Sequence, residues 1–272
     1  MLDTKDEMSS RVWQIYLMRA AMAGLIISIF YLAYHGLIAG FDAIPAGDTT
    51  LKPIGKVAGS LVFGFALVFI YYTKSELLTS NMMIGAIGRY YRRVSVPRLL
   101  KILGLCYLGN FIGGLFIALL LIGSSLADGD VGRAMSDTVE IKTGYITEGP
   151  FGWSDLFVRA ILCNFLINLA MLLCYNGVIT EEITKSLAMV VAVFLFAYLG
   201  LEHSVANTVL FLMVGFQEGI PVGAAVANVG IALAGNFVGG GILIGLYYAY
   251  ANDYARNLKR GRVGAEDEPG KT

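Results

Sequence analysis

The chain has 272 residues, of which 57% are hydrophobic and only 15% are charged, and its mean hydropathy is +0.68. A chain this apolar cannot cover the surface of a water-soluble protein, so the composition predicts an integral membrane protein. Its 20 basic and 20 acidic residues cancel. Because the charges are concentrated near the two ends and in short connections, the net charge says nothing about nucleic acid, and we expect no nucleic-acid partner.

Six uncharged runs approach or exceed the length of about 20 residues that a membrane-spanning helix needs. In chain order they cover residues 20–41, 57–73, 102–127, 160–180, 186–201 and 219–252. The second and fifth are the shortest, and each is followed by an acid, Glu76 or Glu202, and then by another short apolar run. Interrupted segments in matching positions predict broken helices that line a pathway.

Two sequence echoes indicate an internal duplication. "ELLTSN" from Glu76 and "EHSVAN" from Glu202 begin 126 positions apart, and "GNFIGG" from Gly109 and "GNFVGG" from Gly235 have the same separation. We expect a single channel domain, residues 1–252, with repeats at about 12–125 and 150–252. With three spans in each half, the second half enters the membrane from the opposite side, so the predicted fold is all-α with two inverted three-helix repeats.

Basic residues near the ends of the spans predict the orientation. They cluster before the first span, between the second and third, and after the sixth, which places all three clusters on one side of a six-span chain. We therefore expect a multi-pass protein of the cell (inner) membrane with both termini in the cytoplasm. The acidic connection 128–155 would lie outside, and residues 253–272 would form a polar cytoplasmic tail.

The pair at the second break is the main candidate for chemistry. His203 is a candidate proton donor or acceptor, because imidazole titrates near neutral pH when unperturbed. The alternative is a structural histidine that holds the break together, with Glu202 supporting the second ring nitrogen or nearby N–H groups. The positive end of the half-helix that starts here suits an anion. Asn164, in the fourth span, fits pore lining and interhelical hydrogen bonding equally well.

Bulky apolar residues also lie on the two interrupted spans. Phe63 and Leu67 are one helical turn apart in the second span, and Phe196 precedes His203 by about two turns. Ordinary packing against lipid or the core explains most such residues. On a broken helix, however, they are also candidates for constrictions that exclude hydrated ions.

These motifs resemble the formate/nitrite transporter family from about residue 19 to residue 250. "LEHSVAN" is similar to the family's Glu-His pair at the break in the fifth helix, and "ELLTSN" to its loop at the break in the second. "VRAILCN" and "YLGNFIGG" are similar to its fourth and third helices. The resemblance implies an aquaporin-like fold, a homopentamer with one pore per protomer, and passage of small monovalent anions such as formate, nitrite or hydrosulfide.

The resemblance also implies roles for individual residues. His203 would be the central pore histidine, Thr79 the loop threonine that faces it, and Asn164 the pore asparagine. Phe63 and Phe196 match the extracellular-side constriction. The residues that match the cytoplasmic-side constriction are Leu67, Leu77 and Leu78.

One position departs from the family pattern. The family usually has a lysine in the outer vestibule 16 residues before the fourth-helix asparagine, and here that residue is Glu148. A carboxylate there repels anions unless it is protonated or paired. Lys142 would replace the missing cation only if the connection were rebuilt.

Two functions from different classes fit these observations. The first is a channel or transporter for small weak-acid anions, foremost formate, in which protonation is coupled to His203 or a charged His203 holds the anion. The second is a passive facilitator of neutral solutes such as undissociated acids, water or ammonia. An enzyme is not expected, because the sequence has neither a nucleophile beside a base nor a metal-ligand cluster, and we expect no cofactor.

Overall fold

The structure is a computed structural model that describes residues 13–253. Apart from Asp253, the predicted tail 253–272 lies outside the described residues. Six helices are long and apolar enough to cross a membrane, as the sequence predicts. They are Trp13–Asp42 (α1), Lys52–Tyr72 (α2), Val96–Ile122 (α4), Pro150–Tyr175 (α6), Glu182–Leu199 (α7) and the span Val222–Ala251.

The last span has three parts. It begins as helix α9 (Val222–Asn236), continues as a π-helical stretch (Phe237–Leu246) and ends as helix α10 (Tyr247–Ala251). Gly240 lies within the π-helical stretch, where a Cβ atom would meet the side-chain amides of Asn164 and Asn168. The glycine therefore leaves room for two polar side chains of the neighbouring helix α6.

Both predicted helix breaks are present. The second span stops at Tyr72 and resumes as α3 (Leu78–Tyr90), and the fifth stops at Leu199 and resumes as α8 (Ser204–Gly215). Gly200 ends α7 in the left-handed conformation, with φ of +66°. Helices α3 and α8 have 13 and 12 residues, too few to cross a bilayer alone, so both begin inside the protein.

The connection between the third and fourth spans contains a helix of its own, α5 (Gly129–Thr147). It packs against α1, α6, α8 and α9, with Met135 and Val139 buried. Helix α6 begins at Pro150, ten residues before the predicted span. A search for uncharged runs overlooks both features, because α5 and the first turns of α6 carry charged residues.

A short hairpin and a 310 turn complete the described chain. Strands β1 (Pro45–Ala46) and β2 (Thr49–Thr50) pair antiparallel between α1 and α2. The 310 turn, Ser125–Ala127, links α4 to α5. These elements lie at the end of the bundle that also carries α5.

The repeated glycine motifs set two close helix crossings. A Cβ atom on Gly113 would collide with the carbonyl oxygen of Ala21, and one on Gly239 would collide with that of Ile161. The two glycines are 126 positions apart, one in each copy of the motif. The absence of a side chain therefore lets α4 approach α1, and the last span approach α6, in the same way in each half.

The outside of the bundle is covered by large apolar side chains. Phe116, Leu120 and Val226 are among the many that are more than half exposed. In water, a continuous surface of this kind would drive association. Hydrocarbon solvates it well, so the exposed surface agrees with a multi-pass membrane protein.

Candidate pore and its central histidine

The two helix breaks meet in the interior of the protein. Thr79 lies in the first turn of α3, and His203 is the N-cap residue of α8. The Nε2 atom of His203 is 3.0 Å from the hydroxyl oxygen of Thr79, and both side chains are buried. The N-terminal ends of two half-helices, with their partial positive charges, thus converge on one point.

Hydrogen bonds define the protonation state of the imidazole. Its Nδ1 atom accepts a hydrogen bond from the backbone N–H of Ala206 at 3.1 Å. A nitrogen that accepts carries no proton, so the proton of the neutral ring is on Nε2, which donates to Thr79. His203 therefore caps helix α8 in its neutral form and presents a donor to the centre of the site.

Aromatic rings cover the imidazole on one side. The ring of Phe196 stacks on His203 with centroids 5.8 Å apart and planes at 15°. Phe63 in turn meets Phe196 edge to face, at 5.8 Å and 76°. The two phenylalanines of the predicted constriction are thus in contact, next to the histidine.

The backbone of Thr79 is held by two asparagines of helix α6. The amides of Asn164 and Asn168 both donate to the Thr79 carbonyl, at 3.2 and 3.1 Å. Asn164 also donates to the Asn236 carbonyl at 2.7 Å and is fully buried. Of its two sequence interpretations, these contacts favour interhelical hydrogen bonding, with Asn164 acting on the site through Thr79.

One asparagine in each copy of the glycine motif supports a break. Asn110 accepts a hydrogen bond from the Leu78 N–H and donates to the Glu76 carbonyl. Asn236 accepts from the Ser204 N–H and donates to the Glu202 carbonyl. Each asparagine thus bonds the freed backbone groups on both sides of its break. Corresponding residues of the two sets are 126 positions apart in the sequence.

Glu202 has other partners than the sequence predicts. Both of its carboxylate oxygens accept hydrogen bonds from the Lys142 ammonium at 2.9 Å, and Oε2 also accepts from Asn207 at 2.6 Å. The expectation that Glu202 supports the second ring nitrogen of His203 is therefore wrong, since the Ala206 N–H occupies that position. Instead, Glu202 joins helix α5 to the second break.

A cavity of about 400 Å³ leads to the histidine from the side of helix α5; we refer to it as the α5 cavity. Its wall includes His203, Phe63 and Phe196. The charged residues that line it are Lys52, Lys56, Asp137, Lys142, Arg159 and Glu202. Four of these are basic and two are acidic, and Asp42 and Asp155 pair with Lys52 and Arg159.

Glu148 is not part of this wall. It is the C-cap residue of α5 and is exposed, whereas Lys142 is buried and lines the α5 cavity. The helical form of the connection directs Lys142 toward Glu202. The vestibule position expected for Glu148 therefore differs from its position in the structure, where residue 148 is exposed at the end of α5 and outside the lining of the α5 cavity.

A second cavity of about 660 Å³ opens on the opposite side of the bundle; we refer to it as the α3 cavity. Its wall includes Met83, Tyr175, Tyr248 and one charged residue, Arg93. The leucines of the predicted second constriction line neither cavity and are buried: Leu67, Leu77 and Leu78. They belong to the apolar core that separates the two cavities.

His35 lies beside the α5 cavity in a tightly packed position. Its Nδ1 atom is 2.9 Å from the Tyr31 carbonyl, and its Nε2 atom is 3.1 Å from the Thr138 hydroxyl. The ring also packs against Tyr34. It therefore helps to fasten α5 to α1.

Sequence reasoning missed several supporting residues. Asn168 and Asn228 were not identified, although Asn168 binds Thr79 and Asn228 bonds both Asn207 and the Lys142 carbonyl. The available signal was the presence of amides inside uncharged spans, where each needs a partner. Within residues 13–253, no group of three or more His, Cys, Asp and Glu side chains could hold a metal ion.

Comparisons with known proteins agree with this architecture. The formate/nitrite transporter family profile matches residues 1–250. The formate channel FocA of Haemophilus influenzae is 28% identical over 256 residues, which cover 86% of this chain and 85% of that protein. The nitrite transporter NirC of Salmonella typhimurium is 30% identical over 237 residues, 85% of this chain and 81% of NirC.

Solved structures extend the likeness to the fold. An FNT family ion channel superposes with a TM-score of 0.78 at 26% identity, covering 92% of this chain and 94% of that one. A pentameric formate channel with formate bound gives a TM-score of 0.70 at 21% identity, covering 89% and 98%. The named relatives are channels and transporters rather than enzymes. Taken with the paired helix breaks and the buried histidine, the match across the chain shows that this protein belongs to the formate/nitrite transporter family.

Proposed function

We propose that the protein passes small weak-acid anions, foremost formate or nitrite, across the membrane, and that they cross its centre in the neutral, protonated form. The observation that carries this proposal is the α5 cavity, which has four basic side chains in its wall and ends on a neutral His203 beside two phenylalanines. Basic side chains attract anions to the mouth, whereas the apolar centre disfavours any charge.

The proposed path has two physical stages. An anion enters the α5 cavity and takes up a proton from water there. The resulting neutral acid passes Phe63 and Phe196, where the Thr79 hydroxyl can donate a hydrogen bond to it and the His203 Nε2–H can exchange its bond to Thr79 for one to the solute. It loses the proton to water in the α3 cavity. Neutralisation removes most of the desolvation penalty of a charged solute.

This path gives His203 a hydrogen-bonding role. Charging the ring would place a proton on Nδ1, where the Ala206 N–H already donates, so the first turn of α8 would have to open. A permanently charged anion-binding histidine is therefore disfavoured by the local geometry.

We propose the same assembly and orientation as for the family. Both termini lie in the cytoplasm, which places the α5 cavity outside, and the two halves are inverted repeats. A homopentamer is supported by the structural similarity to a pentameric formate channel and by the apolar outer surface. Each protomer would carry its own pore.

A second candidate is a passive facilitator of neutral solutes. The neutral His203 and the buried leucines between the cavities favour it, because neither requires an anion. It differs from the first in the role of the basic side chains that line the α5 cavity, which a neutral solute would not use.

Uptake into liposomes containing the purified protein tests the proposal. The solutes are formate, nitrite, hydrosulfide, acetate and lactate, each measured at about pH 5 and about pH 7. We expect formate uptake to be saturable. Between about pH 7 and about pH 5 the uptake rate should increase by much less than the concentration of undissociated formic acid, which rises roughly 100-fold. Non-saturable uptake that follows the undissociated acid would support the facilitator instead, and no uptake of any of the five solutes would contradict passage of acids by either route.

A further inference from the structure

The basic residues of the α5 cavity differ in whether they form an ion pair with a carboxylate. Lys142 is bound by both oxygens of Glu202 at 2.9 Å. Arg159 is bound by both oxygens of Asp155 at 2.9 Å. Each of these charges is largely compensated by its partner, which leaves it little capacity to hold an incoming anion.

Lys52 and Lys56 complete the set and provide the contrast. The Lys52 ammonium lies 2.9 Å from a carboxylate oxygen of Asp42. The Lys56 ammonium, by comparison, lies 5.6 Å from the centre of the Tyr198 ring. Within residues 13–253, Lys56 makes no salt bridge with a carboxylate.

The contact with Tyr198 positions the ammonium without neutralising it. A cation–π contact attracts the charge through the ring's quadrupole and uses none of the three N–H donors in a directed hydrogen bond. Lys56 is only half-buried, so the ammonium remains accessible from the cavity. It is thus held at the wall with donors available for an anion.

The position of Lys56 on helix α2 relates it to the constriction. Lys56 and Phe63 are seven residues apart, which is about two helical turns or roughly 10 Å along the axis. Both line the α5 cavity. An anion bound by Lys56 would therefore lie about two helical turns farther from the centre than Phe63.

We propose that Lys56 is the residue that binds the incoming anion in the outer mouth of the pore, and that the site takes small monovalent carboxylates and oxyanions. This inference rests on the function proposed above. It assigns capture of the anion to a residue outside the four recognised motifs, on helix α2. A single ammonium that returns to the Tyr198 ring can release its anion toward the constriction.

Three variants test this assignment. Lys56→Met removes the charge, Lys56→Arg keeps it, and Lys185→Met removes the same charge from a residue that is paired with Glu182 and does not line the α5 cavity. Formate uptake is measured as a function of formate concentration at low and high salt. We expect Lys56→Met to raise the half-saturating concentration about tenfold at low salt with little change in maximal rate. Lys56→Arg should resemble the wild type, and Lys185→Met should change this concentration less than about twofold.

A second measurement does not depend on transport. Acetylation of Lys56 by acetic anhydride is followed by mass spectrometry in sodium formate and in sodium gluconate of equal ionic strength. Formate should slow the acetylation of Lys56 and leave that of Lys185 unchanged. Equal rates at Lys56 in both salts, or equal uptake by Lys56→Met and Lys185→Met, would overturn the assignment. Protection of Lys56 without any uptake would retain the binding site and reject the proposed transport.

Discussion

The Nε2 atom of His203 lies 3.0 Å from the hydroxyl oxygen of Thr79, so one hydrogen bond joins the starts of two half-helices from different halves of the chain. Side-chain amides of α6 donate to the Thr79 carbonyl, and the Ala206 N–H donates to the other ring nitrogen of His203, Nδ1. The Nε2–H donor of His203 is therefore fixed in position by groups from three helices. Mutations that remove this donor can thus be compared with mutations that replace it by another donor.

Replacing His203 by asparagine or by alanine separates hydrogen bonding from proton exchange. Asparagine is a good N-cap residue and its amide can donate to Thr79, but it does not titrate. We expect His203→Asn to retain much of the formate uptake and His203→Ala to lose about tenfold or more, as the cap and the donor disappear together. Both variants must first elute as the same oligomer as the wild type. Equal loss in both would mean that His203 has to titrate.

The ion pair of Lys142 and Glu202 is buried, so removing one partner strands the other. We expect Lys142→Met or Glu202→Gln alone to lower the free energy of unfolding by about 3–5 kcal/mol. The double variant should recover at least half of that loss, because no charge is left unpaired. Thermal unfolding in detergent, followed by intrinsic fluorescence, measures this, and additive losses would show that the two charges do not depend on each other.

The two supporting asparagines should be equally important. Asn110→Leu and Asn236→Leu each leave several backbone groups at a break without a partner, at about 1–3 kcal/mol for each group. We expect similar losses of thermal stability in both variants. Asn252→Leu, which removes one exposed hydrogen bond to Tyr248, is the control and should have little effect. A large difference between the two buried sites would argue against equivalent halves.

The close crossing at Gly239 predicts a strong effect of one methyl group. Gly239→Ala forces a Cβ atom against the Ile161 carbonyl, so we expect a loss of about 1–3 kcal/mol. Gly230→Ala is the matched control, since it lies in helix α9 with open space around the added atom and should be neutral or slightly stabilising. Equal thermal midpoints for the two variants would contradict the crossing.

Glu148→Lys tests the corrected position of the vestibule charge. Because Glu148 is exposed and does not line the α5 cavity, we expect formate uptake at neutral pH to change by less than about twofold. A large increase would show that residue 148 faces the path of the anion. The protein level in the liposomes must be matched, since the ratio is small.

The positions of Glu148 and Lys142 are examples of features that could not be predicted from the sequence. The breaks could be predicted, because they follow from short apolar runs and a motif that occurs twice. The approach of Thr79 to His203 is implied by the resemblance to the family. The partner of Glu202 could not, because it depends on the helical form and docking of α5, whose apolar residues alternate with charged ones. The direction of an amide such as Asn164 is likewise set by neighbours that only the tertiary structure supplies.

The hydrogen bond from the Ala206 N–H to Nδ1 of His203 also bears on membrane energetics. Protons cross a channel on their own by hopping along a chain of groups that each accept on one side and donate on the other. Imidazole can serve in such a chain only if both nitrogens exchange protons, and here a backbone donor permanently occupies one of them. Under the proposed passage of the neutral acid, a pore built in this way should dissipate a transmembrane proton gradient only in proportion to the acid that crosses it.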